Sequence, residues 1–185
     1  MAHPNLPKDE VVERLTRVFR REGYEGASLA RLSEATGLGR SSLYHHFPRG
    51  KEDMAEAVLA ASRDRIARLV LVPLAADGTV RERFVAMARG FGEFYGNGNQ
   101  ACLTELFGIG TPGKQFIPVL TIGIARMKQA IGDVLVEAGF DDALAQRRAE
   151  DALIAIHGAL VLSRAGGSTA LFQRVLEELP DRLLS

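Results

Sequence analysis

An all-α fold is predicted by three features of the sequence: apolar residues recur at helical spacing along nearly its whole length, Gly and Pro fall between the periodic blocks, and no segment alternates as a strand would. The first block sets the pattern. Val11, Leu15, Val18 and Phe19 lie at i, i+4, i+7 and i+8, one face of a helix that Gly23 closes. Ser28 then suits the N-cap of a helix of about two turns, with Leu29, Leu32 and Ala35 facing inward and Gly37 as its stop. Leu38 and Gly39 lead into a third short helix, Arg40 to His46, held by Leu43 and Phe47 and ended by Pro48, which cannot continue it. A long linking helix is expected over 51–72, with Glu52 and Asp53 where the N-terminal dipole favours acids and with Pro73 as its end. Helices are expected again over 79–95, 100–107, 114–138, 142–164 and 169–183, with Gly-rich breaks such as 96–99 between them.

A chain of 185 residues has room for one compact domain, or for a small domain of about 50 residues beside a larger one. Its 46% hydrophobic and 25% charged residues are the balance of a soluble protein with a real core, which excludes disorder. With 23 Lys+Arg against 23 Asp+Glu, bulk charge gives no argument for a nucleic-acid partner, so any basic footprint has to be local. A single cysteine, Cys102, excludes an internal disulfide framework and fits a reducing cytoplasm. The first twenty residues are too charged for a signal peptide. The longest apolar stretch, Ala152 to Leu162, is about half the length that crosses a bilayer, so no membrane partner is expected and a cytoplasmic location is. Four histidines without paired spacing predict no metal site, and no motif calls for a cofactor.

The segment from Ser28 to Lys51 carries the local charge that the whole chain lacks: Arg31, Arg40, Arg49 and Lys51 stand against Glu34 alone, a balance of +3. Two short helices joined by a Gly-containing turn make a helix-turn-helix, whose second helix needs polar or basic side chains for base edges and neighbours spaced for phosphates. Arg40, Ser41, Ser42, Tyr44 and His45 meet that need. Arg40 can donate two hydrogen bonds to a guanine edge, whereas Ser41 and Ser42 discriminate less. Tyr44 and His46 suit phosphate, and Ser28 and Lys51, each at a helix start, suit clamping the backbone. The plainer alternative is a three-helix core on which these residues are ordinary surface.

The run Gly37-Leu38-Gly39-Arg40-Ser41-Ser42-Leu43-Tyr44-His45-His46-Phe47, followed by Lys51-Glu52-Asp53-Met54, resembles the signature of the TetR family of transcriptional regulators. Gly23-Tyr24 and Ser28-Leu29 also fall where that family has similar residues, and the turn Pro48-Arg49-Gly50, one residue longer than the commonest pattern, is similar to the LmrA/YxaF-like branch. The resemblance is strong over residues 8 to 60 and elsewhere rests on helical layout. It implies an N-terminal helix-turn-helix DNA-binding domain over 1–50 and a helical effector-binding and dimerisation domain over 51–185, with 51–72 as the linking helix. It also implies a two-fold dimer on a near-palindromic double-stranded operator, repression relieved by a small, largely apolar effector, and DNA contacts by Ser28, Ser42, Tyr44, His45, His46 and Lys51.

Aromatic and flexible apolar residues gather beyond Met87, and pockets between helices use such residues with a few polar groups. The expected effector site is Met87, Phe91, Phe94, Tyr95, Cys102, Leu106, Phe107, Ile117, Leu120, Thr121, Ile124 and His157, although each taken alone is core more often than ligand contact. Cys102 and His157 would make a nucleophile and base only if the fold brought them together. The run Gly108 to Lys114 satisfies GxGxxG and all of a Walker A pattern but its last residue, where Gln115 replaces Ser or Thr. It also lacks the preceding strand such loops require, so it reads as a connection between helices, and no enzyme is expected. Ala152 to Leu162, apolar nearly all round, and the stripe Leu171, Phe172, Val175, Leu176, Leu179 and Leu183 suit a homodimer interface through the last two helices, or monomer core. An architectural DNA-binding protein without an effector, and a nucleotide-binding or enzymatic protein using the Gly108–Lys114 loop, are the alternatives.

Overall fold

The computed structural model describes residues 6–108 and 113–185, and all of its regular elements are helical. In order they are α1 (Lys8–Gly26), α2 (Leu29–Thr36), α3 (Arg40–His46), α4 (Lys51–Ile66), a π turn (Ala67–Leu71), α5 (Val72–Leu74), α6 (Val80–Phe94), a 3-10 turn (Gly96–Gly98), α7 (Leu103–Gly108), α8 (Gly113–Glu137), α9 (Asp142–Gly166) and α10 (Ala170–Leu184). The residues form two compact units: 6–63 with the described part of 103–116, and 64–102 with 117–185.

In the first unit the expected punctuation sets the helices. Ser28 caps α2 by accepting from the Arg31 amide at 3.3 Å, and Gly37 ends it in the left-handed region at φ 70°, where a side chain would be strained. Gly39 caps α3 without a side-chain hydrogen bond, as its lack of a side chain requires. Val11, Leu15, Val18 and Phe19 of α1 are buried, and so are Leu32, Leu43, Phe47, Met54 and Val58. Helix α7 packs on α1, where Phe107 lies 5.3 Å from the Phe19 ring and 5.4 Å from Phe116 at the start of α8. The helix expected from residue 100 begins instead at Leu103, because Ala101 and Cys102 are buried outside any regular element, which the local apolar pattern does not distinguish from helix.

The second unit is centred on α6, α9 and α10, with a core that includes Phe84, Met87, Phe91, Ile131, Leu135, Ile156, Leu160, Phe172 and Leu179. Its α6 begins with a capping box, Thr79 and Glu82 satisfying each other's amides. Pro73 does not end the linking helix as expected: the chain passes through the π turn and carries the proline inside α5. An α-helical proline crowds the carbonyl four residues earlier, which here is Leu69. That carbonyl meets the backbone of Gly90 so closely that a Cβ on residue 90 would sit 1.8 Å from it, so only glycine fits there.

Candidate nucleic-acid interface

Helix α3 separates its residues by face. Leu43 and Phe47 are buried, while Arg40, Ser41, Tyr44 and His45 are exposed and Ser42 and His46 half-buried. Seven residues cannot make a stable helix alone, so the buried pair holds α3 against the rest of the unit and presents its polar face. Arg40 has no carboxylate partner among the described residues, which leaves its five donors available. Tyr44, 45% exposed, lies against the turn at Gly50, where a Cβ would approach its ring to 3.1 Å. The His45 and His46 rings pack edge to face at 5.7 Å. Ser28 is exposed, and its oxygen accepts from the Arg31 amide while its hydroxyl proton can still donate.

The local charge is smaller than the sequence suggests. Arg31 pairs with Glu34 at 3.4 Å and lies 3.9 Å from Glu22. Arg49 is held by Glu52, Asp53 and Glu56 at 2.7, 2.7 and 2.6 Å, and hydrogen bonds to Glu56 and Asp53 push its pKa further up. Two of the four expected cations are thus paired, and Arg40 and Lys51 remain. Lys51, half-buried at the head of α4, stands 4.5 Å from the Tyr24 ring centroid and donates to the Glu25 carbonyl at 3.4 Å. Tyr24 and Glu25 were not among the expected site residues. The Gly23-Tyr24 pair signals a position in the family pattern, but nothing local tells that its ring will meet a lysine on another helix.

The effector residues are only partly brought together. Met87, Phe91, Phe94, Tyr95 and Cys102 are buried in the second unit. There the Tyr95 hydroxyl lies 3.1 Å from His157 Nε2 and 3.6 Å from Cys102 Sγ. His157 Nδ1 is 2.8 Å from the Leu153 carbonyl, which can only accept, so in the neutral ring Nδ1 carries the proton and Nε2 accepts from Tyr95. Cys102 and His157 thus do meet, through Tyr95. Leu106 and Phe107 belong instead to the first unit, where Phe107 is spent on Phe19, Tyr24 and Phe116. Ile117, Thr121 and Ile124 are exposed and Leu120 is half-buried, because this part of α8 is apolar on every side and can bury only some of them. Most of the glycine-rich run from 108 to 114 lies outside the described residues. Among the described residues no group of three or more His, Cys, Asp and Glu could hold a metal ion.

The stripe on α10 is turned inward, with Phe172, Val175, Leu176, Leu179 and Leu183 in the core of their own unit. Helix α9 keeps the open apolar face: Ile154, Val161 and Leu162 are 65%, 42% and 62% exposed, and Gly158 lies on the same side.

Two family models match this chain. Residues 11–58 match the N-terminal domain of the bacterial TetR regulatory proteins, and residues 121–178 match the C-terminal domain of LmrA/YxaF-like transcriptional regulators. The chain belongs to the TetR family. Within it, the LmrA/YxaF-like branch suggested by the Pro48-Arg49-Gly50 turn agrees with the C-terminal match. The chain is 39% identical over 69 residues to the transcriptional repressor AcnR of Corynebacterium glutamicum, covering 37% of this chain and 35% of AcnR. It is 40% identical over 52 residues to the regulator LmrA of Bacillus subtilis, covering 28% of each. The chain therefore spans about a third of the length of the curated relatives it matches. A TetR transcriptional regulator from Legionella pneumophila shares the fold at a TM-score of 0.81 and 20% identity, covering 97% of this chain and 98% of the other. A cysteine mutant of the TetR-family regulator CifR, solved with 26-base-pair operator DNA, shares it at a TM-score of 0.76 and 21% identity, covering 98% of each chain.

Proposed function

We propose that this TetR-family chain is a sequence-specific DNA-binding transcriptional regulator, a repressor that a small, largely apolar effector releases from a near-palindromic operator. Residues 1–50 are its DNA-binding domain and 51–185 its effector-binding and dimerisation domain. The observation that carries the reading is the face of α3: Arg40, Ser41, Tyr44 and His45 exposed over a buried Leu43 and Phe47, inside the stretch that matches the TetR N-terminal model. Arg40 reads bases, Ser41 and Ser42 contribute weaker base contacts, and Ser28, Tyr44, His45, His46 and Lys51 grip phosphates.

The protein acts as a homodimer through its last two helices, with Ile154, Gly158, Val161 and Leu162 of α9 supplying the apolar contact and the polar outer side of α10 its rim. Two-fold symmetry then places a recognition helix in successive major grooves, about one DNA turn apart. The effector enters beside Tyr95 and His157, which supply polar anchors among Met87, Phe91 and Phe94, and it shifts the dimer between two geometries by its differential affinity for them. No helix among the described residues is long and apolar enough to cross a membrane. A cytoplasmic location follows from the DNA partner, and no catalytic turnover is expected, as in TetR regulators in general.

The test is fluorescence anisotropy of the purified protein on DNA from upstream of its own coding region against scrambled DNA. Preference for the upstream duplex with one dimer per site supports a regulator; equal affinity on both supports an architectural protein instead.

A further inference from the structure

The head of α4 offers two cations, and three carboxylates already hold Arg49. Lys51 is placed differently. Its ammonium carries three donors, of which one reaches the Glu25 carbonyl, while the Tyr24 ring face lies 4.5 Å from the nitrogen. Two donors are left for an acceptor outside the unit, on a residue that keeps part of its surface open. Tyr24 is itself fixed: its ring packs edge to face on Phe107 at 5.8 Å and on Phe116 at 5.5 Å, and is stacked with Phe19 at 6.1 Å. Burial first, then Glu52 and Glu25, pushes its hydroxyl above the ordinary tyrosine value, so the ring meets the ammonium as a neutral phenol and leaves its charge uncancelled.

We propose that Tyr24 is a positioning residue for DNA binding, which holds the Lys51 ammonium ready for a backbone phosphate and is seated for that task by Phe107 and Phe116. A lysine stem is rotamer-rich, and ordering it before DNA arrives removes a cost of binding. The inference rests on the reading of Lys51 as a phosphate contact. It adds a dependence that the helix-turn-helix alone lacks, because Phe107 and Phe116 lie far along the chain, in α7 and in the first turn of α8.

The experiment compares full-length wild type, Lys51→Ala, Tyr24→Leu, the double variant and Tyr24→Phe on one scrambled duplex, by anisotropy across a salt series, with helix content checked by circular dichroism. Lys51→Ala is expected to flatten the slope of log affinity against log salt by about 0.9 per subunit. Tyr24→Leu weakens binding by about two- to fivefold when Lys51 is present and has no effect in its absence. Tyr24→Phe keeps the ring face and binds as wild type. An unchanged slope in Lys51→Ala removes the phosphate contact and the proposal with it. If the slope does fall, but Tyr24→Leu costs as much in the double variant, or binds as tightly as wild type or more so, the positioning role is wrong while the contact stands.

Should Tyr24→Leu fail to fold, the wild type still decides by nuclear magnetic resonance. The Lys51 ε-methylene protons, assigned by their loss in Lys51→Ala, are expected well upfield of the other lysines under the Tyr24 ring current. Their coincidence with the other lysines contradicts the proposal.

Discussion

The two units of this chain display their chemistry in opposite ways. The first places polar and basic groups outside, on a short helix held by two buried residues. The second places its chemistry inside, with Tyr95 and Cys102 buried, His157 half-buried, and an apolar face left open on α9. A nucleic-acid reader needs groups that reach a large charged partner, whereas an apolar ligand site or a dimer interface needs groups that leave water together. The difference explains why one unit declares its function in a short motif and the other does not.

Removing a buried ring should give the largest effect and sharpen the contrast. Phe91→Ala and Phe116→Ala each empty a fully packed site and are expected to cost about 3 to 5 kcal/mol in urea unfolding. Only Phe116→Ala, beside Tyr24, should also weaken DNA binding at temperatures where both variants are folded. The open face of α9 comes next. Ile154→Glu introduces a charge where an apolar contact is proposed, and the dimer should loosen on the order of 100-fold in sedimentation equilibrium with unchanged helix content. A dimer as tight as wild type would move the interface elsewhere.

A more selective change is Arg40→Ala. It should reduce the preference for upstream over scrambled DNA by about 1 to 3 kcal/mol in anisotropy, with an unaltered melting temperature. The smallest effect belongs to the capping box. Thr79→Ala is expected to cost about 1 kcal/mol of stability at neutral pH. The Thr79 amide and hydroxyl hold the Glu82 carboxyl below its ordinary pKa. A depressed folded pKa contributes stability above the unfolded value and loses it as pH falls through the folded one. The gap between Thr79→Ala and wild type should therefore narrow in acid, below the usual carboxylate range, in melts taken as a function of pH.

Much of the fold was legible because its helices carry their own punctuation. Ser28, Gly37 and Pro48 bound α2 and α3 as expected, Thr79 and Asp141 cap α6 and α9, and of the residues expected to face inward on the helix-turn-helix Leu32, Leu43 and Phe47 are buried while Leu29 and Ala35 are half-buried. Where distant packing decides, the pattern was silent. Pro73 reads as a helix end until Gly90 is seen to leave room for the Leu69 carbonyl. Phe107 reads as part of a ligand cavity until α7 is seen on α1. Arg49 counts toward a basic footprint until its three carboxylates, two of them about one helical turn away and the third about two, are seen to enclose it. Tyr24 shows the same limit, since its ring and Lys51 are joined only by the fold.

The exposed face of α3 is proposed to recognise a DNA sequence. Anisotropy of the wild-type protein on upstream and scrambled duplexes across a salt series tests this. Tighter binding to the upstream duplex is expected at every salt concentration, with affinity for both falling steeply as salt rises. No binding to either duplex even at low salt would contradict it.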